Sequence, residues 1–190
     1  MGYEVKIGLS NKHVHLSQKD LDVLFGEGHE LTPTKALVQP GQFAAEEKID
    51  IVGPKNTIKG VRVLGPVRPE TQVELALTDA RGIGITAPVR ESGKLDGTPG
   101  CKLVGPCGEV EISEGVIIAK RHLHLIPETA EQLGLANGDI VSVEIKTNGR
   151  SLIFGDVVVR VSDSYALAMH IDTDEANAAA CKGEVFGEIF

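Results

Sequence analysis

Apolar and polar residues alternate over short stretches along most of the chain, the period of strands that bury one face and expose the other. Such runs are VKIGLS (5–10), KIDIVG (48–53), GVRVLG (60–65), TQVELAL (71–77) and KLVG (102–105). The later part adds GVIIAK (115–120), DIVSVEIK (139–146), SLIFGDVVVRV (151–161) and ALAMHID (166–172). Twenty-two glycines and nine prolines break the pattern into pieces, which favours many short strands over long helices. Helical patterns are few. Ser17 is a good N-cap for a segment with Leu21 and Leu24 on its apolar face. Pro127 suits the first turn of a second helix that stops near Gly134.

Those two helices follow matching segments. SNKHVHLSQKDLDVLFG (10–26) resembles AKRHLHLIPETAEQLG (119–134), with His122 standing 109 positions (122 − 13) after His13. VRVLGPVRPETQVELALTDA (61–80) lies beside VVVRVSDSYALAMHIDTDEA (157–176), at an offset of 96 when Glu74 is set against His170. This self-similarity predicts a mainly β fold of two small β-barrel domains related by pseudo-twofold duplication, with short helices. The expected division is an N-terminal half over 1–85, a Gly/Pro-rich connecting segment over 86–113 and a C-terminal half over 114–190.

Composition narrows the function. A net charge of −8 argues against nucleic-acid binding through a broad basic surface, while leaving room for small anionic substrates held by a few cations. No apolar run approaches the roughly 20 residues that span a bilayer. The N-terminus has no signal-peptide pattern, and Lys6 stands where a myristoylation signal wants Ser or Thr. A cytoplasmic protein without membrane attachment is expected. Cys101, Cys107 and Cys181 are odd in number and widely spaced, with no CxxC pair, so they read as reduced thiols.

Five of the six histidines carry the candidate chemistry. Alternate strand residues share a face, so His13/His15 and His122/His124 each set two imidazoles side by side, as two ligands on one metal ion require. A lone His-x-His is more often a pair of surface histidines; two copies at equivalent positions are much harder to dismiss. Glu74 and His170 sit in apolar strands and offer one further donor to each half. An outward-facing strand position is the bland alternative for Glu74. Six donors exceed the needs of one catalytic zinc with an open position and suit two ions. His29, in the loop GEGHEL, is left out of the site.

Cations form the next layer. Arg68 follows the Gly65-Pro66 turn six positions before Glu74, and its guanidinium suits a pair of phosphate oxygens. Lys55 and Arg62 are candidates for polyphosphate contacts, although each alone is more often a solvated charge. Lys12 and Arg121 point to the opposite strand face and read as structural or solvent-facing. There is no Walker loop, no GxGxxG and no nucleophile elbow.

Taken in order, GLSNKHVHLS, LTPTKAL, QPGQFAAEE, VGPK, VRVLGPVRPETQVE, DAR, PVRESG, GTPG, AKRHLHL, GD and MHIDTDEANAA resemble the segments of the microcompartment-associated phosphate propanoyltransferases. The resemblance covers about Val5 to Ala180. It implies two β-barrel domains and a dinuclear zinc centre with His13, His15, Glu74, His122, His124 and His170 as ligands. It also implies phosphate binding and a catalytic role for Arg68, and coenzyme A contacts at Leu9, Ser10 and Asn11, with Lys55, Arg62 and Asn177 at further coenzyme A positions. The implied reaction transfers a propanoyl or acetyl group between coenzyme A and inorganic phosphate. Its partners are acyl-CoA, phosphate and acyl phosphate, and a homo-oligomer fits the same reading.

Two departures stand out. Only twelve residues precede His13, where encapsulated members carry an amphipathic extension, which puts encapsulation in doubt and leaves a bacterial microcompartment as the alternative to the cytoplasm. The end, ANAAACKGEVFGEIF, is shorter and less regular than the usual closing strand, which predicts an altered or shared last strand. Two rival readings of the donor set are a dizinc hydrolase of a small phosphate ester or amide and a metal-stabilised binding module. A coenzyme A requirement separates the transferase from the first, and open metal positions separate it from the second.

Overall fold

A computed structural model describes residues 2–190. In chain order it contains β1 (Tyr3–Ser10), β2 (His13–His15), α1 (Gln18–Phe25), β3 (Pro33–Ala36), β4 (Phe43–Val52), β5 (Thr57–Gly65), β6 (Gln72–Glu74) and α2 (Leu77–Ile83). There follow β7 (Val89–Arg90), β8 (Cys101–Val104), β9 (Glu109–Ile112), β10 (Val116–Ala119), β11 (His122–Leu125) and α3 (Pro127–Leu133). The chain ends through β12 (Ile140–Ile145), β13 (Leu152–Val161), β14 (Ala168–Asp172), α4 (Thr173–Ala178) and β15 (Phe186–Ile189). The fold is mainly β with short helices, as the alternation predicts.

The chain packs into two compact units. One comprises β1, residues 38–40 and everything from Lys120 onward. Its strands close into a six-stranded barrel in the order β1-β14-β11-β13-β12-β15. Inward residues of the alternating runs fill it, among them Val5, Ile7, Leu123, Leu125, Val143, Val157, Val159 and Met169. The irregular C-terminal run forms β15, which pairs antiparallel with both β1 and β12 and so completes the barrel.

The other unit holds Asn11–Leu37 and Gly41–Ala119. Here the sheet is an open half-barrel in the order β7-β10-β6-β2-β5-β4-β8-β9, with β3 on the side of β4. Val14, Leu21, Leu24, Ile49, Ile51, Val61, Val63 and Val73 are in its core.

These units divide the chain differently from the linear halves. Residues 86–113 supply β7, β8 and β9 to the half-barrel, and β1 belongs to the barrel although β2, the next strand, lies in the other unit. The strand preceding β11 makes the reciprocal choice, since β10 pairs with β6 and β7. Alternation in VKIGLS says that one face is buried; which backbone saturates its N–H and C=O groups is a long-range decision.

Both expected helices form. The Ser17 hydroxyl accepts from the Asp20 N–H at 3.2 Å, capping α1. Gly134 ends α3 in the left-handed conformation, φ 65°. Two more helices went unpredicted. The run TQVELAL is strand only to Glu74, and α2 begins at Leu77. A seven-residue helix beside alternating apolar residues gives too little helical period to read. For α4 a signal existed: Asp172 and Glu175 form a reciprocal capping box, visible as DTDE at 172–175.

Candidate active site

β2 is hydrogen-bonded between β5 and β6, with His13 opposite Glu74 on one side and Arg62 on the other. Residues opposite one another across strands project to the same face, so His13, Glu74 and Arg62 share it, and Val14 turns into the core. Both histidines and the carboxylate are buried. His13 Nε2 lies 3.4 Å from Glu74 Oε2, and His15 Nε2 lies 3.7 Å from Oε1. His13 Nδ1 is 2.8 Å from the Asn11 carbonyl. A carbonyl only accepts, so Nδ1 carries a proton, and Nε2 is the ring atom left on the carboxylate side to ligate a metal.

The barrel repeats this arrangement. β11 lies between β13 and β14, with His122 opposite His170. His122 Nδ1 is 2.9 Å from the Lys120 carbonyl, again two residues upstream. The rings of His122, His124 and His170 stand with centroids 4.6–5.2 Å apart. In each triplet, His13/His15/Glu74 and His122/His124/His170, the donor atoms all lie within 4.8 Å of one another.

Electrostatics separates the members. Burial, then the neighbouring His13 and Arg68, pushes His15 down to about 3. Burial, followed by His122 and His170, takes His124 to about 2. Both rings are therefore neutral at physiological pH, the form that ligates a metal. Burial opposes the charges of His13 and Glu74, yet their mutual attraction wins: His13 is raised and Glu74 is depressed below the usual carboxylate range.

The donors fit a divalent cation. His15 Nδ1 and His124 Nδ1 are buried without a hydrogen-bond partner. A buried polar atom left so is costly, and the two triplets carry one each. Three imidazoles in one triplet, and two imidazoles with a carboxylate in the other, match the donor preference of zinc, and three donors per ion leave positions for substrate.

Arg68 is tied to the first triplet. Its Nη1 donates to the Ser92 hydroxyl at 2.9 Å, and Ser92 in turn donates to Glu74 Oε1 at 3.2 Å. Gln72 Nε2 donates to the same carboxylate oxygen and, at 2.8 Å, to Ser92. Sequence reasoning missed Gln72 and Ser92. The signal available was the segment PVRESG at 88–93, which carries no metal-ligand or nucleophile pattern of its own.

The sequence profile of the phosphate propanoyltransferases matches residues 6–182. A phosphate propanoyltransferase of Thermotoga maritima is 58% identical over 173 residues, covering 91% of this chain and 82% of its own. That of Salmonella typhimurium is 53% identical over 175 residues, covering 92% and 83%. That of Sebaldella termitidis is 49% identical over 191 residues, covering 100% and 89%. The chain belongs to the phosphate propanoyltransferase family. It is accordingly an acyltransferase.

Within this family member the remaining expected residues fall in different places. Leu9 and Ser10 end β1 opposite Ile171 and Asp172, next to Gly8, which faces His170. Leu9 is half exposed. Asn177 is exposed on α4, directly after β14. Asn11 spends its carbonyl on His13 and its side chain on the Lys12 N–H, at 2.8 Å each. Arg62 donates to the Ala45 carbonyl at 2.6 Å. Lys55 is exposed in the turn before β5, seven positions ahead of Arg62, and its N–H bonds the Ile83 carbonyl at 3.0 Å. Lys12 and Arg121 are engaged in ion pairs with Asp79 and Glu175. Among the described residues no helix is long and apolar enough to cross a membrane.

Proposed function

We propose that the chain reversibly transfers a short acyl group, propanoyl or acetyl, between coenzyme A and inorganic phosphate, with two zinc ions held by His13/His15/Glu74 and His122/His124/His170. The observation that carries the zinc assignment is the pair of three-donor groups, each with its ligand atoms within 4.8 Å of one another. Bound zinc would supply positive charge that favours the thiolate over the thiol of coenzyme A near neutral pH.

The protein's own groups do the rest. Arg68 binds phosphate through a charge-assisted fork and directs one oxygen at the thioester carbonyl carbon. The C–O bond forms, the C–S bond breaks, and coenzyme A leaves as thiolate; the reverse reaction runs through the same groups. Arg68 offsets the negative charge that gathers on the transferring phosphate. Leu9, Ser10, Asn11, Lys55, Arg62 and Asn177 contact coenzyme A. No side chain is needed as an acyl carrier, so transfer is direct within a ternary complex.

Thiol release from acetyl-, propanoyl- and butanoyl-CoA, with and without phosphate, tests the reading. Phosphate-dependent release with close to two zinc ions per chain is the expected result. Release that proceeds equally without phosphate identifies a hydrolase instead, and active protein with one ion or none removes the dinuclear centre.

A further inference from the structure

The Ser92 hydroxyl has one proton to give and two lone pairs to fill, and all three are used. It accepts from Arg68 Nη1 at 2.9 Å and from Gln72 Nε2 at 2.8 Å, and it donates to Glu74 Oε1 at 3.2 Å. The Gln72 amide cannot turn over to change this pattern. Its Oε1 accepts the Gly93 N–H at 2.7 Å, which leaves Nε2 directed at Ser92 and Glu74. Gln72 is 1% exposed, so water does not compete for these bonds. Gly93 takes φ 92°, a left-handed conformation open chiefly to glycine, immediately after Ser92.

One oxygen of Glu74 is therefore saturated by two protein donors. The other, Oε2, faces His13 Nε2 at 3.4 Å. The same hydroxyl that fixes this carboxylate also fixes the guanidinium of Arg68. We infer that Ser92, set by Gln72 and Gly93, is a positioning residue that couples the phosphate-binding Arg68 to the metal-binding Glu74. It orients the carboxylate so that Oε2 is the ligating atom and holds the guanidinium in a fixed relation to it. The inference rests on the proposed zinc and phosphate sites.

Such a residue should act on two separable quantities. Partners that orient a metal ligand typically change metal affinity by about 10–100-fold when removed. Misdirecting an arginine fork raises the Michaelis constant for its anion. A residue that only supports the fold would lower thermal stability and move neither.

The test compares wild type, Ser92→Ala and Ser92→Thr, prepared with zinc. Chelator competition reads the affinity of each ion, and steady-state kinetics at saturating acyl-CoA reads the Michaelis constant for phosphate. Ser92→Ala is expected to weaken one zinc ion about 10–100-fold, leave the other unchanged, and raise the phosphate Michaelis constant about tenfold. Ser92→Thr keeps the hydroxyl and should recover most of both. If Ser92→Ala binds both ions and phosphate as wild type does, whatever its melting temperature, the inference is overturned alone. Wild-type protein that takes up no zinc overturns the metal reading and this inference with it.

Discussion

Arg121 and Glu175 form an ion pair, Nε to Oε1 at 2.8 Å, and Lys12 with Asp79 repeats it 109 and 96 positions earlier, Nζ to Oδ1 at 2.9 Å. Each cation immediately precedes a His-x-His strand or its first turn into it, and each acid lies in the first turn of the helix after the partnering strand. These offsets equal those that relate His13 to His122 and Glu74 to His170. The repeat thus extends beyond the donors to the contacts that brace them.

The two braces should differ in strength. Both pairs are partly exposed, and such pairs contribute about 0.2–1 kcal/mol. Arg121 also lies over the Phe154 ring, 5.3 Å from its centroid, which adds about 0.5–1 kcal/mol. Denaturant unfolding should therefore show Arg121→Ala to cost more than Lys12→Ala, by about 0.5–1 kcal/mol. Equal losses would remove the aromatic contribution.

Gly8 stands opposite His170 across the β1–β14 pair. A Cβ at this position would lie 2.5 Å from His170 Cδ2 and 2.8 Å from Nε2. Gly8→Ala should displace that ring and lower zinc from two ions per chain towards one, with His13, His15 and Glu74 still loaded. Metal analysis on folded variant protein decides it, and a full complement of zinc would show that His170 relaxes without cost.

Arg68→Lys keeps the charge and loses the fork, including the Nη1 bond to Ser92. Zinc content and affinity for coenzyme A should stay near wild type. Losing a charge-assisted hydrogen bond of about 1.5–3 kcal/mol should raise the phosphate Michaelis constant roughly ten- to a hundredfold. Wild-type phosphate kinetics in both Arg68→Lys and Arg68→Ala would place the anion site elsewhere.

His29 serves stability. Its Nε2 bonds Glu47 Oε1 at 2.8 Å, and its ring stacks on Phe25. Burial raises the Glu47 carboxyl, but His29 and the Thr32 N–H and hydroxyl outweigh it, so the net shift is downward. A depressed folded value means that the contribution is present above the unfolded value of about 4.5 and is lost as pH falls through the folded one. His29→Ala should leave zinc and rate near wild type. Glu47→Gln should cost about 1.5–3 kcal/mol at pH 7, and the difference from wild type should shrink below about pH 4. A gap that stays constant with pH in denaturant titrations would show that folding leaves the Glu47 carboxyl unshifted.

The six candidate donors were legible as two clusters because strand alternation is a local rule. His13/His15 and His122/His124 declare a shared face by spacing alone, and the duplication added Glu74 and His170. The mainly β character and the helices after Ser17 and Ile126 were equally local, since caps and glycine stops act within a turn. Tertiary structure decided what depends on distant backbone. It sent β1 to β14 and β15 rather than to β2, because a strand's hydrogen bonds carry no label of their partner. It likewise brought Ser92, from a segment that reads as a connector, onto Glu74 and Arg68, 18 and 24 positions away in the chain. A serine in a Gly-rich stretch has no periodicity to betray it; only the folded path of the backbone gives its hydroxyl three partners.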